Sequence, residues 1–395
     1  MRIGSRFHRS FLACVSLVVL SACGGGSGGS AGNPVTTQPV EDPNPAGAGQ
    51  WQTVSFLKTI AVADISRALP AQVASNFRPR YAVDTYKLTY RSSDADGNPV
   101  IASALLALPQ KPAGSVSPLL SYQHATIKQN AEAPSNAANP DQVAVWYASL
   151  GFIVNAADYV GYGTSNSSSH AYLMAKPSAL PVLDLLTASA RWRKSRGFSD
   201  NGQLFMTGYS EGAYVTLASL KQLSLQAGPK VDAGFVGAGP YNVKLTLDAL
   251  LDQVRQQNPL LAKILTPGLL SGLGANDRAN LSKLILFLVA GSESDIRFDA
   301  AFLTNYLNDD VAAINAQSDV YDWNLSTPLG LIHGLDDSTV PYANTSSLIN
   351  AQTKRASANL LQSFNCSAKP AEHLACVPDY LTSSANYLQQ RAANL

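Results

Sequence analysis

The chain has 395 residues, a formal net charge of +1 at pH 7 and only 14% charged residues, and it lacks the basic stripe or arginine-rich arm that nucleic acid requires. Apolar residues make up 46%, enough for a substantial core, and the roughly 345 residues beyond a leader and linker suit one α/β domain carrying an insertion. No apolar run after residue 23 is long enough to span a bilayer.

The chain opens like an export signal. Arg2, Arg6, His8 and Arg9 form a positive start, and residues 11–20 form a short apolar stretch. Leu20-Ser21-Ala22-Cys23 follows and resembles the bacterial lipobox, which implies a signal peptide over residues 1–22 and lipid on Cys23. No aspartate stands at position 24, which by analogy with Gram-negative sorting points to the outer membrane. Residues 23–50 are rich in Gly, Ser, Pro, Asn and Ala and read as a flexible tether. The catalytic domain is expected over residues 51–395. Cys366 and Cys376 are the two cysteines left in it, and in an oxidising compartment they most simply pair with each other.

Val83, Tyr86, Leu88 and Tyr90 begin a β-rich stretch; residues 94–98 supply turn chemistry, and residues 100–108 resume the strand pattern, so a hairpin is expected. Beyond it short apolar runs alternate with helical segments, the pattern of βαβ units and a mostly parallel sheet. The runs are 118–122, 152–156, 204–207, 231–238 and 329–332; the helical segments are 141–150, 180–194 and 213–225. Residues 240–325 break the alternation. Leu247, Leu250, Leu251, Val254, Leu260, Leu261, Ile264 and Leu265 have helical spacing, so this part reads as a helical cap inserted between two strands.

Gly208-Tyr209-Ser210-Glu211-Gly212 is a weak pattern by itself. Its context makes it specific: a strand runs directly into it and a helix directly out. That is the nucleophile elbow, in which glycines relieve a crowded turn and the serine projects at the top of the sheet beside a helix N-terminus. A serine hydroxyl needs a base to take its proton, and in this fold the chain order is Ser, acid, His. Only His333 and His373 follow Ser210. The loop after the run 118–122 contains Gln123, His124, Ala125 and Thr126. In this fold that loop supplies one backbone N–H of the oxyanion hole, here from Thr126 or alternatively Ala125, and Glu211 supplies the other. Asp158 reads as a loop-fixing side chain, and His170 has no assigned chemistry. There is no metal-ligand motif, and Gly161-Tyr162-Gly163 lacks the third glycine of a dinucleotide site, so no cofactor is expected.

Together, Tyr122–Thr126, Asp158–Gly163, His170-Ala171-Tyr172, the Ser210 elbow and the segment from His333 to Pro341 resemble the bacterial exported α/β-hydrolases related to the secretory lipase family. The resemblance implies an α/β-hydrolase fold, a mostly parallel central sheet flanked by helices with an inserted helical cap. It implies a carboxylic ester hydrolase with a Ser-Asp-His triad. The segment from His333 is similar to the His-Gly-x-x-Asp-x-x-Val-Pro run of many such enzymes; Asp337 has the spacing of its acid and Asp336 does not. His333 sits before the acid at a strand end and reads as structural, which leaves His373 as the base. Relatives usually carry glycine where Ala125 stands. The expected substrates are small-molecule or lipid esters, uncharged and with apolar acyl or alcohol groups. The membrane is contacted only through the N-terminal lipid, and nucleic acid is not a partner. A serine peptidase on the same fold and a catalytically silent surface-binding lipoprotein are the competing readings.

Overall fold

The computed structural model describes residues 40–41, 47–74, 77–226, 228–257, 266 and 268–395. The signal peptide, Cys23 and most of the proposed tether lie outside the described residues.

Among the described residues ten strands make one sheet: β1 Val40–Glu41, β2 Trp51–Ile60, β3 Val83–Ser93, β4 Pro99–Pro109, β5 Ser117–Gln123, β6 Ile153–Ala157, β7 Asp200–Tyr209, β8 Ala233–Gly237, β9 Leu329–His333 and β10 Leu361–Asn365. Their order is β1-β2-β3-β4-β6-β5-β7-β8-β9-β10. From β6 across to β10 all neighbours are parallel, while β1 to β4 join antiparallel at one side. The β3–β4 hairpin turns at residues 94–98, where Asp94 Oδ1 accepts the amides of Asp96 and Asn98 at 3.0 and 2.8 Å.

Successive strand side chains point to opposite faces, and both faces are covered. On β4, Ala104 and Leu106 join one apolar cluster, and Leu105 and Ala107 join the other. On β7, Leu204 and Met206 divide from Phe205 and Tyr209 in the same way. The first cluster lies beneath the helices Ala175–Arg196 and Glu211–Leu225, and the second beneath Val143–Ser149 and Val377–Gln389. This two-sided burial is why the parallel strands read as unbroken apolar runs in the sequence.

Several elements escape that pattern. Strand β2 carries two register irregularities, at Trp51/Thr53 and Phe56/Lys58, which break its alternation. Strand β10 is an edge strand whose residues are half-buried or exposed. Val40–Glu41, within the stretch expected to be a tether, pairs antiparallel with β2. Between β8 and β9 lie the helices Val243–Gln257, Ala275–Ala290, Ala301–Leu307 and Val311–Gln317. Among the described residues no helix is long and apolar enough to cross a membrane.

The chain runs from β5 to β6 on one side, then to β7 on the other. Loops leaving β5 and β7 therefore diverge at a switch point, and a crevice at the carboxyl ends of the strands is where such sheets bind ligands.

Candidate active site

Ser210 occupies the turn between β7 and the helix Glu211–Leu225, with φ 57° and ψ −123°. A non-glycine residue here is strained, and such strain persists where the surroundings over-determine it. Two glycines make the turn possible. A Cβ on Gly208 would meet the Gly212 carbonyl oxygen at 2.2 Å, and one on Gly212 would meet the Gln123 carbonyl oxygen at 2.1 Å. The second contact also brings the start of the helix against the end of β5. The Ser210 amide donates to the Gly237 carbonyl at 2.8 Å, which locks the turn to β8.

His373 Nε2 lies 2.9 Å from Ser210 Oγ, and His373 Nδ1 lies 2.6 Å from Asp337 Oδ2. The three residues predicted for nucleophile, acid and base are thus brought into one hydrogen-bonded chain. Asp337 is further held by the amides of Thr339 and Val340, which donate to Oδ1 at 2.9 and 2.8 Å. His333 is also in contact with it: its Nε2 lies 3.1 Å from Asp337 Oδ2 and 2.8 Å from the Val340 carbonyl, while Thr345 Oγ1 lies 2.8 Å from Nδ1. Burial alone would raise the Asp337 carboxyl. Hydrogen bonds from His333 and His373, the charge on His373 and the Val340 amide outweigh it and hold the carboxyl at about 2.

The loop that carries His373 is pinned from three sides. Cys366 and Cys376 form a disulfide around it. The Asp336 carboxylate accepts the Ala371 amide at 2.8 Å, and Tyr209, the residue before Ser210, donates its hydroxyl to the His373 carbonyl at 2.5 Å. Asp336 therefore steadies this loop and does not contact the imidazole chain.

The helix start leaves the Glu211 amide without an intrahelical partner, beside the loop 124–126. That loop is braced by tyrosines whose part was not evident from the sequence. Tyr159 donates to the His124 carbonyl and Tyr162 to the Ile127 carbonyl, each at 3.0 Å, fixing the peptide groups on either side of Ala125 and Thr126. Both tyrosines belong to the Asp158–Gly163 motif, so their position in it was the available signal. Tyr159 has φ 66° and stacks with the rings of His124 and His170, with centroids 4.0 and 5.9 Å away. Asp158 Oδ2 accepts the hydroxyls of Ser103 and Ser135 at 2.6 and 2.5 Å, and Oδ1 accepts the Ser135 amide at 2.8 Å.

The Glu211 side chain does not reach solvent. Its Oε1 lies 2.6 Å from His170 Nε2. Burial pushes this carboxyl up, but the charge and hydrogen bond of His170, with His124 and the Thr126 hydroxyl behind them, bring it below its ordinary value. Burial pushes His124 down; its Nδ1 and Nε2 face the carbonyls of Ala125 and Asp158 at 2.7 and 3.2 Å. Among the described residues no group of three or more His, Cys, Asp or Glu is arranged to hold a metal ion.

No family model matches the sequence, and no curated protein matches it. Solved structures do match in shape. The rice cell wall degrading esterase LipA from Xanthomonas oryzae is 21% identical, with a TM-score of 0.66 over 88% of this chain and 100% of its own. A candidate hydrolase from Legionella pneumophila is 21% identical, with a TM-score of 0.68 over 86% of this chain and 98% of its own. Lipase A of Candida antarctica in its closed state is 18% identical, with a TM-score of 0.58 over 87% of this chain and 82% of its own. At this level of identity the likeness shows the fold, and with the sheet order above it is the α/β-hydrolase fold.

Proposed function

We propose that the chain is a serine carboxylic-ester hydrolase acting through Ser210, His373 and Asp337 without a cofactor. The observation that carries this reading is the continuous path from Asp337 through His373 to Ser210, at 2.6 and 2.9 Å, ending on a serine in a strained turn at a helix start. Ser210 Oγ attacks the ester carbonyl while His373 Nε2 takes its proton. Asp337 holds the Nδ1 proton and stabilises the imidazolium that forms. The oxyanion accepts from the Glu211 amide and from the amide of Thr126 or Ala125. His373 then protonates the departing alcohol oxygen, leaving an acyl-enzyme. Water, deprotonated by the same imidazole, releases the acid and restores Ser210.

The favoured substrates are uncharged esters with apolar acyl or alcohol parts. The esterase and lipase names of the structural neighbours support this class, as does the leucine-rich segment between β8 and β9. Export and a lipid on Cys23, with the outer membrane as destination, complete the reading on the strength of the N-terminal sequence.

Labelling with a fluorophosphonate probe, followed by turnover of paired ester and amide substrates, tests the proposal. Ser210 is expected to carry the label and esters to be cleaved faster than amides. Faster amide cleavage would establish a peptidase, and an unlabelled Ser210 with no turnover a binding protein. Retention of Cys23→Ala in the membrane fraction would overturn the lipid anchor.

A further inference from the structure

Beside the elbow lies a buried acid–imidazole pair that the reaction scheme above does not use. Glu211 follows the nucleophile directly, and its amide is one of the two groups that would receive the oxyanion. Its own carboxylate is a poor neighbour for that task, because a negative charge buried next to a developing negative charge opposes it. The side chains of Glu211 and His170 are only 2% and 3% exposed, so water does not screen them.

His170 answers that charge. Its Nε2 lies 2.6 Å from Glu211 Oε1 and its Nδ1 lies 3.0 Å from the Val160 carbonyl. Both ring nitrogens thus face oxygen acceptors. That is the arrangement of an imidazolium donating to the Glu211 carboxylate and to the Val160 carbonyl, which makes the pair neutral as a unit. The 2.6 Å contact from His170 to Oε1 is the shortest that the carboxylate makes, with the Thr126 hydroxyl as a further support.

The pair also lies at a joint. The His170 amide donates to the Arg297 carbonyl at 2.7 Å, and the Asp299 amide donates to the His170 carbonyl at 2.8 Å. A few residues earlier in the same segment, Ser294 Oγ and the Asp295 amide donate to the Lys128 carbonyl at 2.8 and 3.1 Å, and Asp295 Oδ1 accepts the Asn130 amide at 2.7 Å. One stretch inside the helical insertion, between the helices Ala275–Ala290 and Ala301–Leu307, therefore grips both the His170 loop and the chain just beyond Thr126.

We propose that His170 is a positioning residue for the oxyanion hole, neutralising the buried Glu211 carboxylate and fixing the Glu211 backbone against the loop 124–126 while its own backbone is held by the segment 294–299. This rests on the reading of Ser210 as the acyl-accepting nucleophile.

A double-mutant cycle on a p-nitrophenyl ester tests it, with kcat and KM measured separately and folding checked by circular dichroism. His170→Asn removes the positive charge that balances the Glu211 carboxylate beside the oxyanion, and kcat is expected to fall about a hundredfold with little change in KM, the scale of losing one oxyanion donor. Glu211→Gln removes the charge and is expected to cost about tenfold, because only positioning is lost. The double variant should be faster than His170→Asn alone, since no charge then remains to be neutralised. A double variant as slow as or slower than His170→Asn would show a packing role only and overturn the proposal. So would wild-type kcat in His170→Asn, or a loss beyond a thousandfold in folded Glu211→Gln. If His170→Asn does not fold, the double variant against Glu211→Gln still decides: a loss of kcat well beyond tenfold between them contradicts a role that works through the Glu211 charge. Ser210→Ala is measured alongside. Activity surviving in that variant removes the nucleophile reading itself, whereas an inactive Ser210→Ala with additive His170 and Glu211 effects removes only this inference.

Discussion

Replacing Asp337 with asparagine tests the hydrogen-bond chain at its most constrained atom. Oδ1 accepts two backbone amides, from Thr339 and Val340, and Oδ2 accepts from His333 and His373. An amide nitrogen cannot face the two backbone N–H groups, so in the variant it turns toward the histidines. There it must donate, and His373 Nδ1 has to become an acceptor. The imidazole proton moves to Nε2, which lies 2.9 Å from Ser210 Oγ, and no lone pair remains there to take the serine proton. The expected loss in kcat is about ten-thousandfold, or about 5 kcal/mol, with the fold intact. Asp336→Asn should be far milder, because its role is one hydrogen bond to the Ala371 amide that an amide oxygen still accepts. Steady-state hydrolysis of a p-nitrophenyl ester, normalised to folded protein by circular dichroism, reads both. A folded Asp337→Asn within tenfold of wild type, or an Asp336→Asn that is the slower of the two, would refute the assignment of the acid.

His333→Ala should lower kcat much less than His373→Ala, since Asp337 keeps three donors after it; an inactive, folded His333→Ala beside an active His373→Ala would reverse the roles. Acid unfolding should reveal Asp337: its carboxyl is held at about 2 in the folded chain against 3.8 unfolded, so about 2 kcal/mol of stability is present above pH 4 and lost as pH falls through 2, and Asp337→Asn should abolish that slope. Asp319 acts in the opposite sense. Burial lifts it to about 6, so the folded state holds its proton more tightly and about 3 kcal/mol of stability declines as pH rises from 4 to 6; urea midpoints that do not move over this interval would contradict it. Cys366→Ser should lower the melting temperature and the turnover together, because the short closed loop contributes on the order of 3 kcal/mol and carries His373, the proposed base; free thiols at both positions in protein from its native compartment would show that the pair does not form there.

What was legible in the sequence was whatever a local pattern encodes. The apolar runs marked β5 to β9 because strands buried on both faces need continuous apolar residues, and the turn residues at 94–98 marked the β3–β4 hairpin. The elbow was legible because a crowded turn between strand and helix requires glycine at fixed offsets from the serine. Chain order then left only His333 and His373 for the base, and the resemblance of the segment from His333 to Pro341 to a family motif pointed to Asp337 and so to His373. Strand β2 was not legible, since its bulges destroy the period, and neither was the polar edge strand β10. Only the tertiary structure decided the contacts that depend on residues far apart in the chain. The pairing of His170 with Glu211 spans 41 positions, and the hydroxyls of Tyr159 and Tyr162 brace a loop 35 positions earlier. His333 reads from the sequence as a strand-end histidine, yet its ring meets the same carboxylate oxygen as His373. Side-chain hydrogen bonds of this kind leave no periodic trace, because they are set by where the crossovers of the sheet deliver each loop, and at the switch point between β5 and β7 those crossovers bring together loops that no local spacing relates.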